Sequence, residues 1–134
     1  AGTGMLDGII NIMPNAKIGH IGMYRDEKTL KPVWYYNKVP MPVHNPSKYY
    51  VFITDPMLAT GNSLKEAIRL YISKGIPQEN ISGICMISAP DGIEAVFNEF
   101  PNINLIVAAI DSHLNERGYI VPGMGDAGDR IFNT

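Results

Sequence analysis

An α/β fold built on a mainly parallel sheet follows from three features of this sequence. Three short apolar runs, residues 49–54 (YYVFIT), 81–88 (ISGICMIS) and 105–110 (LIVAAI), have the length and β-branched content of strands. The last two are almost continuously apolar, as expected of strands buried on both faces. Between the runs lie two stretches of helical period. Leu64, Ala67, Ile68, Tyr71 and Ile72 fall at i, i+3, i+4, i+7 and i+8, and Ile93, Val96, Phe97 and Phe100 repeat the spacing. Strand, helix, strand, helix, strand implies right-handed crossovers, helices on both faces, and ligands beyond the carboxyl ends of the strands. Asp55 and Asp111 follow two of those ends.

Taken in order, the chain opens on Ala1-Gly2-Thr3-Gly4, a glycine-rich turn of the kind that follows a strand. The sequence therefore reads as a fragment whose upstream part is missing. Residues 5–13 (MLDGIINIM) suit a short buried helix stopped by Pro14 and Asn15. Residues 17–24 read as a strand, and 25–28 as a charged turn. Residues 30–43 combine Trp34, Tyr35 and Tyr36 with three prolines. Aromatics favour extended structure and proline is confined to sheet edges, so an exposed β-arm is expected, offering apolar surface to another subunit. An irregular loop folded back on its own core fits the same residues.

Residues 49–54 read as a central strand. Ser63 or Asn62 is placed to cap the helix that follows, and Gly75 with Pro77 to end it. Asp91 is placed to interact with the N-terminus of the next helix. The tail carries Tyr119-Ile120-Val121, a Pro122-Gly123 turn and a glycine-rich run to Thr134. Repeats, low-complexity runs and linkers are absent, so residues 1–134 read as one domain.

Composition excludes several classes. Hydrophobic content of 46% with 18% charged residues is that of a globular protein, and a net charge of −2 gives no footprint for nucleic acid or an anionic membrane. One cysteine, Cys85, permits no internal disulfide and fits a reducing compartment. No apolar run approaches the ~18 residues of a transmembrane helix. The cytoplasm is the expected location.

Chemistry concentrates at residues 55–63. A strand, a tight turn and a helix N-terminus direct backbone N–H groups and the helix dipole toward one spot, which suits a phosphate. Thr60 and Ser63 add hydroxyls, Gly61 permits close backbone approach, and Asp55 can accept from sugar hydroxyls. A capped turn without a ligand fits these residues equally well. The spacing is not that of a nucleoside-triphosphate P-loop. Residues 123–128 match G-x-G-x-x-G, but only six residues follow Gly128, too few for a dinucleotide fold. They read as a flexible tail, or as backbone able to approach a planar ligand beside Asp126 and Asp129. Gly2-Thr3-Gly4 is a weak second anion nest. His20, His44 and His113 lack zinc-site spacing, Cys85 reads as an inert mid-strand thiol, and no serine-hydrolase elbow is present.

Two long motifs, D-P-M-L-A-T-G-N-S at residues 55–63 and G-Y-I-V-P-G-M-G-D-A-G-D-R-I-F-N-T at 118–134, closely resemble the uracil phosphoribosyltransferase family. A-G-T-G-M at 1–5, G-M-Y-R-D-E at 22–27, A-P-D-G-I-E at 89–94 and L-N-E-R-G-Y at 114–119 extend the resemblance over the whole chain. It implies the three-layer type I phosphoribosyltransferase fold, with a β-arm and a C-terminal hood-like tail. It also implies transfer of the 5-phosphoribosyl group from phosphoribosyl diphosphate to uracil, with Mg2+ carried mainly by that substrate. The 5-phosphate would lie against Pro56, Met57, Leu58, Ala59, Thr60, Gly61, Asn62 and Ser63, with Asp55 on the ribose. Arg25 would contact the diphosphate, and Asp126 the phosphoribosyl group; these two are the candidate catalytic residues. Uracil would meet Ile120, Gly125, Asp126 and Ala127, shielded by Tyr119. The resemblance admits a homo-oligomer, dimer or tetramer, and GTP as an effector. A non-catalytic nucleotide-binding or regulatory domain of the same fold is the alternative. Asn62 and Asn133 stand where the family commonly has glycine. About the N-terminal third of the family's chain, with a strand and an arginine just before A-G-x-G, is not in this sequence, so a poorly folded or inactive chain is expected.

Overall fold

The strand β5 (Ile81–Ser88) is the axis of the molecule. A computed structural model describes residues 1–26, 29, 32–40 and 44–134, and in it β5 has parallel neighbours on both sides. β3 (Val51–Thr54) pairs with its first half, and β4 (Met57–Leu58) continues the same side opposite Ile87 and Ser88. β6 (Asn104–Ile110) takes the other side, from Ser82 opposite Asn104 to Ser88 opposite Ile110. The interruption between β3 and β4 falls at Asp55-Pro56. Pro56 lacks an N–H, and its carbonyl accepts from both Met86 (3.1 Å) and Ile87 (3.0 Å). That irregularity lets a buried proline sit inside a ladder.

The α/β class and the mainly parallel sheet are those expected, but two features differ. Among the described residues β3 is an edge strand, and β5 holds the centre. Aromatic and β-branched content reports a pleated, half-buried surface, not a position in the sheet. Among the described residues the crossover helices also cover one face of the sheet only. The crossovers α2 (Asn62–Ser73) and α3 (Pro90–Glu99) step the same way, β3 to β5 to β6, so both helices pack on the same side. There Leu64 and Ile68 of α2 meet Val96 and Phe100 against Ile81 and Cys85. Arg69 of α2 reaches both carboxylate oxygens of Glu99 at 2.6 Å and also pairs with Glu66. On the other face Phe52 is 44% exposed, Ile106 54% and Ile110 59%. A continuously apolar strand shows what it needs covered, not what covers it.

The glycine-rich start is a 3₁₀ turn, Gly2–Met5, leading into α1 (Leu6–Ile12). No residue of α1 is buried, contrary to expectation. Leu6, Ile9 and Met13 line an open groove against Tyr49 and Val51, and Ile12 faces outward. Seven residues with glycine in the middle have too narrow an apolar stripe to sink into a core.

β1 (His20–Arg25) and β2 (Pro32–Lys38) form a separate antiparallel ribbon, with a register shift between Gly22 and Met23. The expected strand at 17–24 therefore begins at His20, and the expected arm is a paired strand, not an irregular loop. Tyr35 is 70% exposed and stacks on Tyr24, ring centres 6.4 Å apart. Positions 27 and 28 of the charged turn and 30, 31 and 41–43 of the arm lie outside the described residues, as does the side chain of Arg25. Beyond β6 come the hairpin β7 (His113–Leu114) and β8 (Ile120–Val121), then α4 (Ala127–Phe132), which gives the tail a regular structure that its glycines did not announce.

Candidate functional site

The loop after β3 owes its shape to two glycines. Gly61 takes a left-handed φ of +76° at the N-cap of α2, a conformation glycine adopts without strain. A Cβ on Gly61 would lie 3.0 Å from the Gly92 carbonyl oxygen and 3.1 Å from Val96. Gly92, in the first turn of α3, is tighter still: a Cβ there would stand 2.3 Å from the Ala59 carbonyl oxygen and 2.8 Å from that of Leu58. The Ala89 N–H donates to Leu58 O at 3.0 Å. The start of α3 thus braces the loop from behind.

Neither Ser63 nor Asn62 caps α2. The helix begins on Gly61 with no side-chain cap, which leaves its first-turn N–H groups for a ligand. Asn62 is the first helical residue and has no positive φ, so asparagine in place of glycine costs no strain there. Asn133 ends α4 at φ +57°, a conformation asparagine tolerates.

Asp55 sits at the carboxyl end of β3, and its Oδ1 accepts from the Met57 N–H at 3.3 Å. Burial pushes its carboxyl above the ordinary range, outweighing the opposing effect of that hydrogen bond. Cys85 behind it is pushed up to about 12 by burial and by the Asp55 charge, which matches the expected inert thiol.

The tail is organised by side chains that local pattern did not single out. Asn115 Oδ1 accepts from the N–H groups of Arg117 and Tyr119, both at 3.0 Å, around Gly118 at φ +75°. Asp111 Oδ2 accepts from the Gly123 N–H at 2.8 Å. The Val121-Pro122 peptide is cis. Gly123 (φ +56°) is packed so closely that a Cβ would stand 2.1 Å from Ile120 O, whereas Gly125 (φ +77°) faces open space. Asp126 caps α4, its Oδ1 accepting from the Asp129 N–H at 3.0 Å. An Asn-x-x-Gly turn signature marks residues 115–118 in the sequence. The Gly92 and Asp111 contacts are long-range and leave no local trace.

Loop and tail face one another across a cleft of about 320 Å³, within the range of small-ligand sites. Asp55, every residue from 57 to 63, Tyr119, Ile120, Gly125, Asp126 and Ala127 all line it. Pro56 does not; it is buried in the sheet beneath. Met23 of β1 borders the cleft, two positions before Arg25. A neighbouring cavity of about 470 Å³ between the N-terminal turn, β1 and β3 shares Asp55 and Ser63. The two stretches that carry the long motifs therefore meet in one place. Among the described residues no group of three or more His, Cys, Asp or Glu side chains is arranged to hold a metal ion.

A family model of uracil phosphoribosyltransferase matches residues 1–134. Uracil phosphoribosyltransferases of Lactiplantibacillus plantarum and Dictyoglomus turgidum are 52% identical over all 134 residues, and one from Clostridium botulinum is 50% identical. The chain spans 62% of the length of each of these relatives. A solved structure of a protein from Aquifex aeolicus superimposes with a TM-score of 0.88 at 37% identity, covering 98% of this chain and 61% of that one.

Proposed function

As the chain belongs to the uracil phosphoribosyltransferase family, we propose that the whole protein carrying it transfers the 5-phosphoribosyl group of phosphoribosyl diphosphate to N1 of uracil, releasing UMP and diphosphate. The observation that carries this reading is the single cleft joining the 55–63 loop to the 119–127 tail. One wall offers uncapped N–H groups and hydroxyls suited to a phosphate. The other offers exposed backbone suited to a planar base.

In this reading the first turn of α2, with Thr60 and Ser63, holds the 5-phosphate, and Asp55 accepts from the ribose hydroxyls. The open space at Gly125 admits the flat base, and the backbone of Ile120 and residues 125–127 hydrogen-bonds its edge. Tyr119 shields the base at the rim. The ribose C1–oxygen bond to diphosphate breaks as the N1–C1 bond forms, and the N1 proton leaves. Positioning two substrates in line supplies most of what is needed, since no side chain has to become covalently attached. Walls on both sides keep water from replacing uracil as the nucleophile.

Arg25 is assigned to the diphosphate through the family motif around it. Mg2+ is expected to ride on the oxygens of the phosphoribosyl diphosphate, where it offsets charge on the leaving group. None of the described helices is long and apolar enough to cross a membrane. A cytoplasmic homo-oligomer using the aromatic ribbon, with GTP as effector, completes the reading.

The test is UMP formation by the whole protein from uracil and phosphoribosyl diphosphate with Mg2+. Asp126→Asn separates the chemistry of Asp126 from its capping role, because asparagine caps helices as well as aspartate does. We expect unchanged thermal stability and kcat/KM lower by about a hundredfold. A protein that binds both substrates yet forms no UMP would overturn the proposal.

A further inference from the structure

The base-binding half of the cleft is carried by the least self-sufficient part of the fold. β7 and β8 pair over two residues each, and α4 has six residues. Elements of that size are not stable by themselves. Gly118, Gly123 and Gly125 all take positive φ and add backbone freedom. Where the backbone of residues 120–127 comes to rest must be set from outside the tail.

Asp111 is placed to do this. It is the first residue beyond β6, and its N–H donates to Ser88 O at 2.8 Å, which ties it to the end of the central strand. Its Oδ2 accepts from the Gly123 N–H at 2.8 Å in a partly buried setting. A carboxylate accepting from a backbone N–H is a charge-assisted bond, stronger than the neutral kind. Gly123 is also packed against Ile120 O, so fixing Gly123 fixes the carbonyl of Ile120. Asn115 braces the other end of the turn, at Tyr119.

We infer that Asp111 is a positioning residue for base recognition: its carboxylate anchors Gly123 to the central sheet, and so sets the Ile120 and 125–127 backbone against the loop. The inference rests on the reading of the tail as the uracil half of the site.

The test compares the whole protein with its Asp111→Ala and Asp111→Asn variants by steady-state kinetics. The wild type is assayed first; if it forms no UMP, the proposed function fails on its own account. With an active wild type, Asp111→Ala raises KM for uracil about tenfold, the loss of one charge-assisted bond, and leaves KM for phosphoribosyl diphosphate within about twofold. Asp111→Asn, which keeps an acceptor oxygen, brings KM for uracil back to within about threefold of wild type. An unchanged KM for uracil in Asp111→Ala, or equal losses for both substrates, overturns the inference. Amide hydrogen exchange reads the anchor without catalysis: in Asp111→Ala residues 120–128 exchange about tenfold faster while β5 is unaffected. Unaltered exchange in the tail also overturns it. Should Asp111→Ala fail to fold, Asp111→Glu, one methylene longer, must raise KM for uracil more than Asp111→Asn does, and equal values count against the anchor.

Discussion

Asp55 pairs the role proposed for it with a cost in stability. Its carboxyl is pushed above the ordinary carboxylate range by burial, so the fold favours the neutral form. Stability from this group is complete below the unfolded value and is lost as pH rises through the raised folded value. At neutral pH the ionised carboxylate is therefore a burden that sugar binding would repay. Asp55→Asn removes the charge at nearly constant shape. Its thermal unfolding should match or exceed that of wild type at pH 7, with the difference shrinking as the pH approaches the ordinary carboxylate range. KM for phosphoribosyl diphosphate should meanwhile rise about tenfold, as for a lost charge-assisted bond. A variant clearly less stable than wild type at pH 7 contradicts the account. At this scale the sequence was legible where the chemistry is local. Asp55, residues 57–63, Tyr119, Ile120 and residues 125–127 line one cleft, Pro56 lies buried beneath it, and burial pushes the Cys85 thiol up to about 12. The burial of Asp55 and the Asp111 anchor were hidden, because both arise from contacts with chain far away in sequence.

The loop and the two helices behind it act as one unit. Gly61 lets α2 start in the αL region, and Gly92 lets α3 press its first turn onto the loop carbonyls. Gly92→Ala would place a methyl group 2.3 Å from Ala59 O, so the loop or the helix must move. Overpacking of this kind costs about 1–3 kcal/mol, readable by urea unfolding. Because the displaced atoms belong to the wall proposed to hold the phosphate, KM for phosphoribosyl diphosphate should rise more than KM for uracil. Equal effects on both would mean that the helix moved and the loop did not. Helical period located both crossover helices, and β5 spans the very residues read from its apolar run. Three readings went astray for one physical reason. Period and apolarity tell which side of an element wants cover, and are silent on what lies there. So α1 is expected buried and has no buried residue, β3 is expected central and is an edge among the described residues, and α2 is expected to carry a side-chain cap that its N-terminus does not have. α4 is too short for any period to show.

Across the whole molecule the sheet is asymmetric. Ile81 and Cys85 are buried under α2 and α3, whereas Phe52, Met86, Ile106 and Ile110 point the other way and are exposed. The β1–β2 ribbon shows a second apolar surface in its stacked Tyr24 and Tyr35. Exposed aromatics of this kind mark protein contacts, so the whole protein should sediment as a dimer or larger at micromolar concentration, and a monomer would contradict that. The sheet face poses a sharper question. Its residues lie on adjacent strands, with Phe52 opposite Ser82, Ile106 opposite Ile84 and Ile110 opposite Ser88, so the exposed apolar side chains stand on one face of the sheet. Exposed apolar faces of this kind bind hydrophobic dyes and promote association. The 134-residue chain expressed by itself should bind 1-anilinonaphthalene-8-sulfonate strongly. The double variant Ile106→Thr with Ile110→Thr keeps β-branched side chains suited to a strand and removes apolar area, so dye fluorescence should fall by about half. Equal fluorescence in the two chains would place the bound dye elsewhere, with the groove beside α1 the next surface to test in the same way.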